Sequence, residues 1–207
     1  MLNIAIDDAN NFYRYGLECF LEDLFANENN KGVHFEALTK FNINKADVVV
    51  QSYVAGEEYA CHSKLKYRNK PGLIIGLYDQ GRGDFIADLP TCIKNVIFIY
   101  RTDSVSDCRE KIISAWDEIP LLSGVKDYKK CFHCKYLTLT PQQIVIARKM
   151  LQGQDLSQIA ISLGINVKTV SAHKRLIMHK FNLHTDFELL RFFNSLRSHT
   201  SPINLFS

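Results

Sequence analysis

The chain has 207 residues, 46% of them hydrophobic and 23% charged, with a formal net charge of +3. That is an ordinary globular mixture, long enough for two modest domains with their own cores. No apolar run approaches the length of a membrane span and no basic stretch followed by an apolar one opens the chain, so a cytoplasmic protein without membrane attachment is expected. The six cysteines (Cys19, Cys61, Cys92, Cys108, Cys131 and Cys134) are mostly scattered, which suits reduced thiols better than a disulfide framework. The small net charge hides an asymmetry. Residues 1–125 carry 13 Lys and Arg against 18 Asp and Glu, whereas residues 126–207 carry 12 against 4. A basic half joined to an acidic half points to a nucleic-acid-binding module on a regulatory domain.

Taken in order, Leu2–Ile6 alternates as a strand and ends in Asp7-Asp8. Phe12 to Phe25 has the apolar spacing of a helix, and a polar loop over 27–32 follows. Val33–Ala37, Ala46–Val50, Leu73–Tyr78 and Val96–Tyr100 read as strands, the last three as the short apolar, β-branched runs of a buried parallel sheet. A helix is predicted from about Val105 to Glu118, with Cys108, Ile112, Ala115 and Ile119 on one side. Strands alternating with helices predict a parallel α/β domain over 1–118.

A linker is expected over 119–137. It contains Lys126, Lys129, Lys130 and Lys135 and the string Cys131-Phe132-His133-Cys134. Two thiols and an imidazole at that spacing have zinc-ligand character, but no second Cys/His pair stands at matching distance, so no metal is expected; thiol redox sensing is the other reading. No cofactor is expected either. Asp7, Asp8, His34 and His62 are the only candidate groups for an enzyme or sensor. They show no nucleophile–base spacing, and Gly81-Arg82-Gly83 is too short for a phosphate loop.

Residues 138–198 read as four helices. Thr140, followed by Pro141 and Gln143, makes a capping box for the first, with Ile144, Ala147 and Leu151 facing the core. Asp155 or Ser157 starts the second, which Gly164 ends. In the third, Val170, Ile177 and Phe181 fall within roughly 20° of one direction at 100° per residue, while Lys168, Ala172, Arg175 and His179 point the other way and Ser171 lies on the flank. A helix, a tight turn and a second helix with a small, cationic, donor-rich outer face is the unit that enters the DNA major groove. Arg suits guanine O6 and N7, Ala a thymine methyl, Lys or Ser a phosphate. The fourth helix, Asp186 to about Arg197, carries more apolar surface than one small core needs.

This last stretch resembles the LuxR/FixJ-type (GerE-like) DNA-binding domain over about a quarter of the chain. The resemblance rests on Leu139-Thr140, Gln152-Gly153, Ile159-Ala160, Leu163, Lys168-Thr169-Val170, His173, Ile177, Lys180 and Phe181. The acidic residue usual three positions after the opening Thr is Gln143 here. The resemblance implies base contacts at Ser171, Ala172 and Arg175, with Lys168, Thr169, Lys174, His179 and Lys180 completing the DNA surface. It also implies a dimer contact on the last helix, at Phe187, Leu189, Leu190 and Phe193; the residues by themselves equally fit a core of the same domain with one exposed aromatic.

More faintly, the first half is similar to a response-regulator receiver domain, a flavodoxin-like α/β fold. Asp7-Asp8 stands where that family keeps its acidic metal pocket. The phosphoacceptor Asp falls at Ser52, or at Gln51 with a slip of one. The hydroxyl position falls near Leu77 or Tyr78, and the Lys after the last strand is matched by Arg101. Aspartyl phosphorylation needs a carboxylate nucleophile and a divalent cation, so the expectation is a degenerate receiver-like domain whose phosphoacceptor is lost.

The string Lys168–Lys174 is similar to the RcsA/RcsB group, and without an acceptor carboxylate the chain resembles its auxiliary member. The partners this implies are double-stranded DNA and either a second copy or an RcsB-like response regulator. The alternative is an interaction module that sequesters another regulator without binding DNA.

Overall fold

The computed structural model describes residues 1–29, 32–62, 64–79, 89–93, 95–122 and 136–198. They form two compact units: one takes its described residues from 1–53, 64–79 and 91–122, the other from 54–62, 89–90 and 136–198.

The first unit is a five-stranded, wholly parallel sheet. Its strands are β1 (Leu2–Asp7), β2 (Val33–Ala37), β3 (Val48–Ser52), β4 (Leu73–Tyr78) and β5 (Val96–Tyr100), in the order β2-β1-β3-β4-β5. That is the doubly wound order of flavodoxin-like sheets. β4 is buried along its whole length, which is why its sequence is an unbroken apolar run. Leu77 and Tyr78, expected at the receiver hydroxyl position, are part of that buried strand.

One face of the sheet packs Ile4, Ile6, Val48, Val50, Leu73 and Ile75 against α1 (Asn11–Asn29) and α2 (Val105–Leu122). Leu21, Leu24 and Phe25 of α1 and Ile112 of α2 complete that core, and the Trp116 ring meets Phe25 edge-on at 5.2 Å. Two features depart from the predicted pattern. α2 runs through Pro120 to Leu122 instead of stopping at Glu118. A proline in the last turn removes only one hydrogen bond of a helix whose inner side, with Trp116 and Ile119, is already packed on the sheet. The crossovers β2–β3 and β3–β4 contain, among the described residues, turns and two 3₁₀ segments (Glu57–Tyr59, Leu65–Tyr67) and no α-helix. Pro71 and glycines at 56 and 72 interrupt the second of these crossovers. Gly76 is required where it stands: a Cβ there would come within 2.5 Å of the Phe98 ring.

The second unit holds four helices, α3 (Pro141–Leu151), α4 (Leu156–Leu163), α5 (Val167–Lys180) and α6 (Asp186–Ser198). A short segment from before β4 belongs to the same core. Tyr59 and Ala60 are buried with Ala147, Ile177, Phe181 and Phe192, and the Tyr59 carbonyl accepts from the Leu137 N–H at 2.9 Å. The domain expected over 1–118 includes residues 54–62, which belong instead to the second unit; nothing local to Tyr59 signals a pairing this distant along the chain. The expected linker residues Lys126, Lys129, Lys130 and Lys135, the Cys131-Phe132-His133-Cys134 string, Gly81-Arg82-Gly83 and the tail beyond 198 lie outside the described residues.

Candidate nucleic-acid interface

Local chemistry sets α4 and α5 at their angle. Asp155 caps α4, its Oδ1 accepting from the Ser157 and Gln158 N–H groups at 2.8 Å, and Gln158 answers on the Asp155 N–H. Gly164 ends the helix at φ 65°, a left-handed conformation that suits glycine. The Ile165 N–H returns to the Ala160 carbonyl at 3.0 Å. Asn166 then caps α5, accepting from the Lys168 N–H at 2.8 Å. One residue, Ile165, therefore separates the cap that ends α4 from the cap that starts α5. On α3, Thr140 and Gln143 form the expected capping box even without the acidic residue.

Side-chain burial fixes the rotation of α5. Val170 and Ile177 are fully buried and Phe181 nearly so. Val170 packs with Ile146, Ile159 and Ala160; Ile177 and Phe181 pack with Leu189, Phe192 and Phe193 of α6. Each such side chain contributes about 1.5–3 kcal/mol, an upper bound for a compact unfolded state. The opposite side presents Lys168, Thr169, Ala172, Arg175 and His179 to solvent, with Ser171 half-buried at the edge. Arg175 lies along Ser171, Nη2 to Oγ 3.4 Å.

Two cations grouped with this face are already engaged. Lys174 donates to Asp186 at 2.6 Å and Lys180 to the Thr138 carbonyl at 2.6 Å, so both hold α5 to its neighbours. On α6, Leu189 and Phe193, expected at a dimer contact, are fully buried in the unit's own core. They project inward with Phe192, which leaves Phe187 (68% exposed) and Leu190 (39%) as the exposed apolar surface of this helix.

A second cluster closes the carboxyl ends of β1, β3 and β5. Asp8, its side chain 1% exposed, accepts from Ser52 Oγ at 2.7 Å, from the Asn10 N–H at 2.7 Å and from the Arg101 guanidinium. Arg101 also reaches Asp79 (Nε to Oδ1, 3.2 Å) and stacks on Tyr13 at 3.9 Å. Asp7 accepts from Lys64. Ser52, not Gln51, thus stands beside the acidic pair, and Gln51 is buried within the sheet. Sequence reasoning missed Lys64: it sits in a run with Lys66, Arg68 and Lys70 in which no periodicity marks the residue that reaches Asp7. The other enzyme candidates each have a local partner. His34 pairs with Glu36 on β2 at 3.0 Å, and buried His62 with the Glu57 carbonyl at 3.0 Å. Among the described residues, no three His, Cys, Asp or Glu side chains are grouped to hold a metal, and no helix is long and apolar enough to cross a membrane.

Residues 137–193 match the family described as bacterial regulatory proteins, luxR family. The transcriptional regulatory protein UhpA of Escherichia coli is 38% identical over 53 residues, which are 26% of this chain and 27% of that protein; the chain therefore matches only about a quarter of this relative's length. Two solved structures share the fold across both units. One is the two-component response regulator RcsB in complex with DNA (TM-score 0.56, 19% identity, 94% of this chain and 98% of that one). The other is RcsB from Salmonella enterica serovar Typhimurium bound to promoter P1flhDC with a phosphomimetic (TM-score 0.55, 18% identity, 94% and 98%). The fold is that of a response-regulator receiver followed by a helix-turn-helix domain.

Proposed function

We propose, from the premise that residues 137–193 are a LuxR-type helix-turn-helix domain, that this chain is a sequence-specific DNA-binding transcription regulator of the cytoplasm. The observation that carries the reading is the division of α5. Val170, Ile177 and Phe181 anchor one side, while Lys168, Thr169, Ala172, Arg175 and His179 stand free on the other. A helix held at its cap and seated on three buried side chains offers that free side to a major groove without reorganising. In this reading Ser171, Ala172 and Arg175 meet base edges. Lys168 and His179 meet phosphates, and Lys174 and Lys180 mainly position the helix while adding to the local field that gives salt-dependent affinity.

We further propose that the regulator works without its own phosphorylation. Ser52 occupies the acceptor position, and a hydroxyl hydrogen-bonded to a buried carboxylate is a poor phosphoryl acceptor. The charge a divalent cation would neutralise is already met by Arg101 on Asp8 and Lys64 on Asp7. Control then falls to abundance and to partner choice: a second copy, or a phosphorylatable RcsB-like regulator, to which the exposed Phe187 and Leu190 supply part of a contact.

The test is binding to genomic fragments by the chain alone and mixed with a receiver-type regulator from the same cell, together with intact mass after incubation with acetyl phosphate. Specific binding only in the mixture supports the auxiliary role; specific binding alone supports a homodimer. Absence of specific binding in both arms overturns the DNA reading, and a phosphoryl adduct on the chain overturns phosphorylation independence.

A further inference from the structure

The free side of α5 is chemically divided along its length. With Ala172 at zero and about 100° per residue, Lys168, His179 and Arg175 fall at roughly −40°, −20° and −60°, whereas Leu176 falls near +40° and Thr169 near +60°. The buried Val170, Ile177 and Phe181 centre at roughly +160°, so Arg175 lies about 40° from the middle of the outward face. Leu176, 57% exposed, lies about 60° from that middle on the other side. Thr169 and Ala172 are exposed beside it. Spaced by three and four residues, Thr169, Ala172 and Leu176 make one continuous ridge of methyl groups, bordered by cations that suit a polyanion. A major groove offers an apolar ridge one apolar feature, the thymine 5-methyl group.

Resting on the DNA-binding reading above, we infer that Leu176 determines specificity: it packs against a thymine methyl, with Thr169 and Ala172 extending the contact along the groove. Arg175 reads hydrogen-bonding edges on one side of the helix, and Leu176 reads methyl groups on the other. The inference therefore adds a thymine to the site beside the base that Arg175 contacts.

The experiment uses the full chain and the fragment it prefers, with each thymine replaced in turn by deoxyuridine, which removes only the methyl. For the wild-type chain, uridine at one or two positions is expected to weaken binding about fourfold, the factor for losing one buried methyl-sized group. Leu176→Ala should bind the thymine fragment correspondingly more weakly and be indifferent to uridine at those positions. Leu176→Gln, equally exposed and equally helical, should shift base preference there while its far-ultraviolet circular dichroism stays unchanged. If the wild type binds specifically but uridine at every position acts alike on wild type and Leu176→Ala, the inference fails and the DNA reading survives. Loss of the same factor on specific and scrambled DNA also overturns it. If the wild type binds no fragment specifically, either alone or mixed with the receiver-type regulator, both fall together.

Discussion

Removing Arg101 tests the description of the acidic cluster most directly. The Asp8 side chain is 1% exposed and accepts from the Arg101 guanidinium, the Ser52 hydroxyl and the Asn10 N–H. In Arg101→Ala the carboxylate stays buried with two neutral donors and no cation. Breaking a buried pair costs about 3–5 kcal/mol. The two surviving donors and the 20% exposure of Arg101 bring the expected loss to about 2–3 kcal/mol, part of it the stacking on Tyr13. At about 2–4 °C per kcal/mol for a chain of this length, the melting point should fall by roughly 5–10 °C. Trp116 is the single tryptophan and packs on Phe25 within the sheet unit, so its fluorescence reports the unit concerned. Asp8→Asn in the same background should return most of the loss, since a neutral amide needs no counter-charge. Millimolar Mg²⁺ should raise the melting point of Arg101→Ala and leave the wild type unchanged. Additivity of the two substitutions, or a change under about 1 °C for Arg101→Ala, would refute the reasoning.

Three other outcomes are expected. Arg175→Ala should weaken specific binding by about 1–3 kcal/mol and relax one base preference; an equal loss on random DNA would reduce Arg175 to a backbone contact. Gly56→Ala should destabilise the helical unit by about 1–3 kcal/mol, because Gly56 has φ 86° and an added Cβ would lie 3.0 Å from Leu183 and 3.1 Å from Phe181; amide exchange in α5 and α6 measures it, and unchanged protection counts against the packing described. Burial raises the Asp103 carboxyl, but hydrogen bonds from Lys111 and the Tyr100 N–H outweigh it and hold the group below the usual range. A depressed folded pKa contributes stability above the unfolded value, about 3.9, and loses it as pH falls through the folded one. Asp103→Asn should therefore lower the Trp116 melting point at pH 7, with the gap closing below about pH 4; a gap independent of pH would contradict the pairing.

What could be read from the sequence was local or periodic. The limits of β4 and β5 followed from unbroken apolar runs, and the caps at Thr140, Asp155 and Gly164 from residues whose partners lie within three or four positions. The inward side of α5 followed from three apolar residues sharing one direction. What could not be read depended on distance or on tertiary choice. Nothing near Lys64 signals Asp7. The apolar residues of α6 divide between core and surface according to what α5 presents to them, so Leu189 and Phe193 turn inward and Phe187 outward. In the sequence Leu176 reads as one more apolar helix residue; its exposure places it on the solvent side of α5. The length of α2 was hidden because Pro120 signals a stop that packing on the sheet overrides.

The placement of Tyr59 and Ala60 bears on how such a protein can be inherited and recombined. A helix-turn-helix made from one contiguous stretch can be fused behind any regulatory domain as a cassette. Here the cassette is incomplete: its core takes a tyrosine encoded roughly 80 residues before the segment begins, with a glycine at 56 that leaves room for Leu183. A chimera joining residues 136–198 to a foreign amino-terminal half would leave uncovered the apolar surface that Tyr59 fills. The two halves of this gene are therefore expected to change together, each substitution around Phe181 or Leu183 constraining what position 59 can accept.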